Sequence, residues 1–378
     1  MKVCWLFPNF VSVFLLTSAA KAGSLALWNF NSRQNPSYTY DLRQVRLQQQ
    51  PSTSLFVQLP FPQLLAGEFL FLRQSLGPVA PAIRIEPPHL PFTTAPNSLF
   101  AKAIILGNQM RLPQQQIAAL MMRYKSLRSG MFFLDLDTGN YLDIDGDRVF
   151  PAASTIKLPI LVAFFQAVDA GEVRLNETLV MRRDLMTNGS GNMQAQRAGT
   201  RFSVLETVTH MITISDNTAT NMIIDRLGGS ARLNRQFRNW GLQHTVIHHL
   251  LADLRGTNTT SSKDLVRLLA MLASQQLVSL TSQEQIFALL RRTTTRTLLP
   301  AGLGKGAMIA NKTGDIGFLI GDAGLITMPN GKRYLAGIFV RRPYDDPRGR
   351  DFIRQVSRLM YGYLERPLLS FPVASPHL

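Results

Sequence analysis

The strongest constraint on this chain is where its strand-like segments fall. Between about residues 113 and 365 they sit at the two ends, with a long helical stretch over about 154–295 between them. An isolated hairpin is marginal in water, so both sets of strands are expected to join one sheet. A chain that leaves a sheet through helices and returns to it is an α+β fold. At the first end, Pro113 suits a helix's first turn. Ile117, Leu120, Met121, Tyr124 and Leu127 then recur at helical spacing until Gly130, where the helix is expected to stop. Residues 131–136 and 141–144 read as strands around the turn Asp137-Thr138-Gly139-Asn140. At the other end, 322–327 and 334–340 read as strands joined by the turn Pro329-Asn330-Gly331-Lys332. A last helix over 351–364 carries Ile353, Val356, Leu359 and Met360 on one face. The two terminal helices can cover one face of the sheet, with a helical subdomain beyond. A ligand is expected in the cleft between sheet and helices.

The flanks differ from this region. Residues 1–22 combine Lys2, an apolar stretch from Cys4 to Thr17 and the small-residue pattern Ala20-Lys21-Ala22, which reads as a secretory signal peptide. The expected location is periplasmic or extracellular, with an uncleaved membrane anchor as the alternative. Cys4 is the single cysteine, so the mature chain would have no disulfide. Residues 23–111 are rich in Pro, Gln and Ser without helical or strand period, and read as a tether or an irregular flap. The regular domain is expected over 112–366, with a tail over 367–378. The net charge of +16 favours polyanionic surroundings. No helix-turn-helix, zinc-finger or RRM signature accompanies it, so the anionic cell envelope is the expected contact and nucleic acid is not. The six His residues form no metal-binding pattern, and neither metal nor cofactor is expected.

Three short motifs carry chemistry. In Ser154-Thr155-Ile156-Lys157 the helical i,i+3 spacing brings the amine to the hydroxyl. A serine needs a neighbour to take its proton, and a desolvated lysine can do so. Ser215-Asp216-Asn217 offers a hydroxyl to relay a proton and an amide to hold a substrate, or Asp216 as a helix cap between turn residues. Lys312-Thr313-Gly314 offers a cation and a hydroxyl for a carboxylate, with a glycine that allows close approach. Each is common by chance; their order is not.

S-x-x-K, S-D-N and K-T-G in this sequence resemble the signature set of the class A β-lactamases, members of the penicillin-recognising serine hydrolases. Further segments are similar to that family: Val168-Asp169-Ala170-Gly171-Glu172, Gly189-Ser190-Gly191 with Gln194, Ala198-Gly199-Thr200, and Asp216 through Asn221 running on to Leu227-Gly228. The resemblance implies an antiparallel five-stranded sheet covered by the N- and C-terminal helices, plus a mainly helical subdomain. It implies Ser154 as the acylated nucleophile, Lys157 in its deprotonation and Ser215 as the proton donor to the leaving nitrogen. Asn217 would hold Lys157 and the substrate amide, and Lys312 and Thr313 the substrate carboxylate, beside Gly314. The backbone N–H groups of Ser154 and Asp315 would form the oxyanion hole.

Two departures bear on turnover. Class A enzymes carry a water-activating Glu on a loop after the S-D-N helix. That loop, expected over about 246–260, has no Glu here, and Asp253, His248 and His249 are the remaining candidates for the base. The segment after Gly314 also lacks the Arg that many class A enzymes use to hold the carboxylate, a role open to Arg341 or Arg342. The expected function is an exported serine hydrolase that opens β-lactam rings through a Ser154 acyl-enzyme. The alternatives are a penicillin-binding D,D-peptidase or esterase acting on peptidoglycan peptides with slow deacylation, and a non-catalytic cell-envelope binding or sensing module.

Overall fold

The computed structural model describes residues 106–366 continuously. It also describes the backbone of short strands at Ala26–Trp28, Tyr38–Thr39, Arg46–Gln49, Leu55–Gln58 and Phe71–Leu72. Residues 1–22, where a signal peptide is expected, most of the 23–111 extension and the 367–378 tail lie outside the described residues. In the N-terminal unit, Ala26–Trp28 pairs antiparallel with Tyr38–Thr39 and Phe71–Leu72, and Arg46–Gln49 with Leu55–Gln58. These ladders stand where the sequence carries no strand period, because backbone pairing needs no alternation of side chains.

The main unit begins with helix α1 (Arg111–Arg123), then strands β1 (Arg128–Asp135) and β2 (Tyr141–Ile144). A helical subdomain follows: α2 (Lys157–Asp169), α3 (Val204–Thr213), α4 (Asn217–Arg226), α5 (Gly229–Asn239), α6 (Ser262–Ala273) and α7 (Leu280–Arg291). The chain returns through β3 (Met308–Asp315), β4 (Leu319–Thr327), β5 (Arg333–Arg341) and α8 (Arg348–Glu365). The strands form one antiparallel five-stranded sheet in the order β3–β4–β5–β1–β2. The two chain ends meet at the β5–β1 ladder, where Leu335 faces Leu134 and Phe339 faces Gly130.

Side chains alternate across this sheet as a strand's period of two requires. Met131, Phe133, Ile338 and Val340 pack with Ile117 and Leu120 of α1 and with Phe352, Val356 and Met360 of α8. Phe132, Leu134, Leu335 and Phe339 pack on the opposite face, against the helical subdomain. With both faces buried the strands read as continuous apolar runs, a pattern usually found in covered parallel sheets. Helix α2 is buried over Leu158–Phe165, as an all-apolar helix must be, and it fixes the centre of the subdomain.

The strand expected from 322 begins at Leu319 and the last helix, expected from 351, at Arg348; at the first end two boundaries move. Helix α1 ends at Arg123 rather than running to Gly130, because a turn (Leu127 N–H to Tyr124 O, 2.9 Å) places Leu127 against the same core. Gly130 lies inside β1, which starts at Arg128 because its partner β5 extends to Arg341. A Cβ at Gly130 would meet the Asp145 carbonyl oxygen and the Phe150 ring, each at 2.6 Å. Gly130→Ala is therefore expected to destabilise the domain by about 1–3 kcal/mol through overpacking, read as a lower urea midpoint with an unchanged slope.

Candidate active site

Ser154 sits on a short 3-10 turn, Ala153–Ile156, which leads directly into α2. Lys157, the first residue of α2, is fully buried. Its Nζ lies 3.1 Å from Ser154 Oγ, 3.0 Å from Ser215 Oγ, 2.6 Å from Ser215 O and 2.8 Å from Asn217 Oδ1. The two carbonyl oxygens can only accept, so they take two N–H groups of the amine. The remaining position faces the two hydroxyls, which can donate. Burial, with the Lys312 charge behind it, holds the Lys157 amine well below its ordinary range, and Asp216 opposes the shift. A neutral amine so placed can accept the Ser154 proton.

Ser215, Asp216 and Asn217 divide their work. Asp216 caps α4 through Ala219 N–H (2.8 Å) and accepts from the N–H groups of Asn192 (2.7 Å) and Met193 (2.8 Å). The capping reading thus holds for Asp216, which also ties the 189–193 turn to α4. Its two neighbours point at Lys157 instead. Ser215 adopts φ 59°, a conformation costly for a residue with a side chain, and this turn directs both its carbonyl and its hydroxyl to Nζ. The amide nitrogen of Asn217 reaches Asn188 O at 3.2 Å.

Edge strand β3 closes the other side. A Cβ at Gly314 would lie 3.0 Å from Ser154 N, so only glycine lets the strand run this close to the nucleophile. Lys312 is fully buried, its ammonium donates to Thr313 O (2.8 Å), and desolvation lowers it to about 8. Arg342 is buried and donates to Asp315 Oδ1 (2.6 Å) and Gly317 O (2.8 Å). It holds the Asp315 turn rather than offering a free cation. Arg341 is exposed, 5.8 Å from the Phe318 ring centroid. Of the two arginines open to the carboxylate-holding role, Arg342 is thus committed to the Asp315 turn and Arg341 stands at the surface.

Asn221 and Asn258, to which the sequence assigned no role, anchor the 246–260 loop together with Asp253. Asn221 is four residues after Asn217 and therefore on the same face of α4. It donates to Leu251 O (2.6 Å) and accepts from Leu251 N–H (2.8 Å). Asn258 accepts from the N–H groups of His248 (2.8 Å) and His249 (2.9 Å), and both histidines are exposed. Asp253 accepts from Thr257 Oγ1 (2.9 Å) and Asn258 N–H (2.6 Å), so its carboxylate staples the loop. The loop segment that Asn221 holds against α4 is Leu251–Ala252. Ala252 Cβ lies 3.7 Å from where a Cβ on Gly189 would stand, itself 2.9 Å from Asn217 Nδ2. The i,i+4 asparagines were the legible signal for this anchor. Among the described residues no group of three or more His, Cys, Asp or Glu could hold a metal ion.

A model of the Beta-lactamase enzyme family matches residues 112–364. Curated relatives include the extended-spectrum beta-lactamase PER-1 of Pseudomonas aeruginosa, 27% identical over 235 residues, covering 57% of this chain and 75% of that protein. Beta-lactamase CARB-4 of Pseudomonas aeruginosa is 26% identical over 231 residues, 58% of this chain and 79% of that one. Among solved structures, PBP-A is 54% identical with a TM-score of 0.68, covering 69% of this chain and 99% of its own. A leucine-to-glutamate mutant of PBP-A, in an acyl-enzyme complex with penicillin-G, matches at 53% identity with the same TM-score of 0.68 and the same coverage, 69% and 99%. An ancestral class A beta-lactamase matches at 27% identity and a TM-score of 0.62, over 66% of this chain and 99% of that one.

The Asp253 staple has a measurable consequence. Asp253→Asn is expected to cost about 1–3 kcal/mol in stability and to change formation and loss of any Ser154 adduct by similar factors. Loss slowed alone, in stopped-flow and mass measurements, would return Asp253 to the role of base.

Proposed function

The chain belongs to the beta-lactamase enzyme family and is a serine hydrolase of it, and on that premise we propose that it opens β-lactam rings through a Ser154 ester that it then hydrolyses slowly. The Ser154 Oγ attacks the ring carbonyl as its proton passes to Lys157. The backbone N–H groups of Ser154 and Asp315 take the oxyanion. Lys312 and Thr313 bind the substrate carboxylate, with Gly314 admitting it to the strand edge. Ser215 returns a proton to the ring nitrogen as the C–N bond breaks, and Asn217 orients both Lys157 and the substrate amide.

One observation carries the slow second step: the loop segment beside Asn217 is Leu251–Ala252, and the nearby Asp253 is bonded within its own loop. Among the described residues of this loop there is no Glu, and the one carboxylate is engaged elsewhere, which leaves no evident general base to activate water against the ester. The identity of 54% to PBP-A, against 27% to PER-1, favours the same reading. On it the natural substrate is a carboxylate-ending wall peptide or ester, and β-lactams are trapped analogues. The N-terminal sequence supports export, and the +16 charge supports contact with an anionic envelope.

Intact-protein mass against time after mixing with a penicillin tests this. A single adduct that persists is expected, and none with Ser154→Ala; labelling retained in that variant would remove Ser154 as nucleophile. Leu251→Glu is expected to shorten the adduct's lifetime by on the order of 10²-fold, the scale of one general base. Because Lys157 must be neutral to act and is held below its ordinary range by burial, acylation is expected to rise with pH. It then falls as Lys312, lowered to about 8, loses its charge. A pH–rate profile with a carboxylate-bearing penicillin reads both limbs.

A further inference from the structure

The strand edge beside Ser154 carries a backbone donor whose aim is fixed by a side chain from β5. Ile316 N–H donates to Leu319 O (3.0 Å), the next step of the β3–β4 ladder. Backbone groups on an antiparallel strand alternate in direction. The N–H groups of Gly314 and Lys312 therefore point to β4, and those of Asp315 and Thr313 point off the free edge. Asn311 is in the same phase as Asp315, and its carbonyl accepts from Thr293 Oγ1 (2.8 Å), outside the sheet. The outward N–H of Asp315 follows Gly314, which runs against the Ser154 turn. The Asp315 side chain is held in a clamp. Its Oδ1 accepts from Gly317 N–H (3.0 Å) and from Arg342 Nη2 (2.6 Å). Arg342 also donates through Nε to Gly317 O (2.8 Å) and through Nη1 to Asp346 O (3.0 Å), and its own N–H donates to Phe318 O (2.8 Å). Its side chain is 1% exposed, against 38% for that of Asp315. The other charges facing this pair are Arg350, 3.6 Å from Asp315 Oδ2, and Asp345, 3.6 Å from Arg342 Nη2. Both stand beyond hydrogen-bond range, so the Arg342 fork is the cation bonded to the turn.

We propose that Arg342 is a positioning residue: by clamping Asp315 to Gly317 it holds the outward Asp315 N–H on the carbonyl oxygen of the group attached to Ser154. This rests on the acylation and the oxyanion role proposed above. A donor lowers a barrier most when it is aimed before charge develops on the oxygen. Asp315 is the last residue of β3, so the ladder restrains it from one side only, and the turn that follows restrains it from the other. Arg342 ties that turn to the end of β5 and to the segment leading into α8. A guanidinium can hold several acceptors in one plane, which a single ammonium cannot. The Asp315 carboxylate would also repel an oxyanion beside it, and the guanidinium offsets that charge.

The test is acylation of the full chain by a penicillin carrying 13C at the ring carbonyl, wild type against Arg342→Gln. Stopped-flow rates against penicillin concentration separate binding from bond formation. Lys312 and Thr313 are untouched, so the half-saturating concentration is expected to stay unchanged. The limiting acylation rate is expected to fall on the order of tenfold, short of the 10²–10³ that losing a donor outright costs. Isotope-edited infrared spectra of the adduct read the donor itself. A weaker hydrogen bond to the ester oxygen leaves a stiffer C=O bond, so the stretch is expected to move to higher wavenumber. A folded Arg342→Gln that keeps the wild-type stretch, or that changes only the half-saturating concentration, overturns the proposal. A wild type that forms no adduct at all overturns the acylation reading instead. Should Arg342→Gln not fold, Arg342→Lys keeps the buried charge but cannot span the same acceptors. Its adduct is expected to absorb above wild type, and an unmoved stretch overturns the proposal equally.

Discussion

The buried amine of Lys157 is the point on which the site depends. A polar group buried away from water is costly unless it is hydrogen-bonded, and the partners of this amine come from two separate elements. Ser154 is local to the lysine, whereas Ser215 and Asn217 arrive from the α3–α4 junction 58 and 60 residues on. That junction must hold its position, and Asp216 holds it by capping α4 and gripping the 189–193 turn. The left-handed turn at Ser215 is strain that this surrounding network sustains.

The sheet serves the same amine from the other side. Its edge strand runs against the Ser154 turn because Gly314 has no side chain to keep it away. Lys312 on that strand adds a second buried positive charge, which lowers Lys157 further. Two buried lysines in one cleft repel, and the repulsion favours a neutral Lys157 beside a charged Lys312, the two states that the proposed reaction needs. The carboxylates nearest to this pair, Asp216 and Asp322, each lie beyond the reacting groups, and each is satisfied by hydrogen bonds of its own.

The loop over 246–260 separates the two halves of a hydrolytic cycle. The hydroxyls and the amide proposed to act in forming an ester at Ser154 are gathered around Lys157. On the reaction proposed here the group that would free the ester is sought in the loop, and Asn221 presents the loop by its Leu251 backbone. The loop's one carboxylate is turned inward to Thr257 and Asn258.

Much of this could be read from the sequence, and the line between what could and could not follows physical range. The Ser154–Lys157 neighbourhood is fixed by helix period, the 137–140 turn by its Gly and Asn, and the α+β class by strands at both ends of a helical stretch. Local periodicity reaches only a few residues, so it misplaced the end of α1, where Tyr124 and Leu127 keep helical spacing but sit in a turn against the core. Packing between elements decided the rest: that Ser215 and Asn217 face Lys157 while Asp216 does not, that Arg342 serves Asp315, and that Asp253 closes its own loop. Residue types restrict what each position can donate or accept. Which donor meets which acceptor across 60 or more residues is settled only when the two cores, on either face of the sheet, fix how the elements lie against each other.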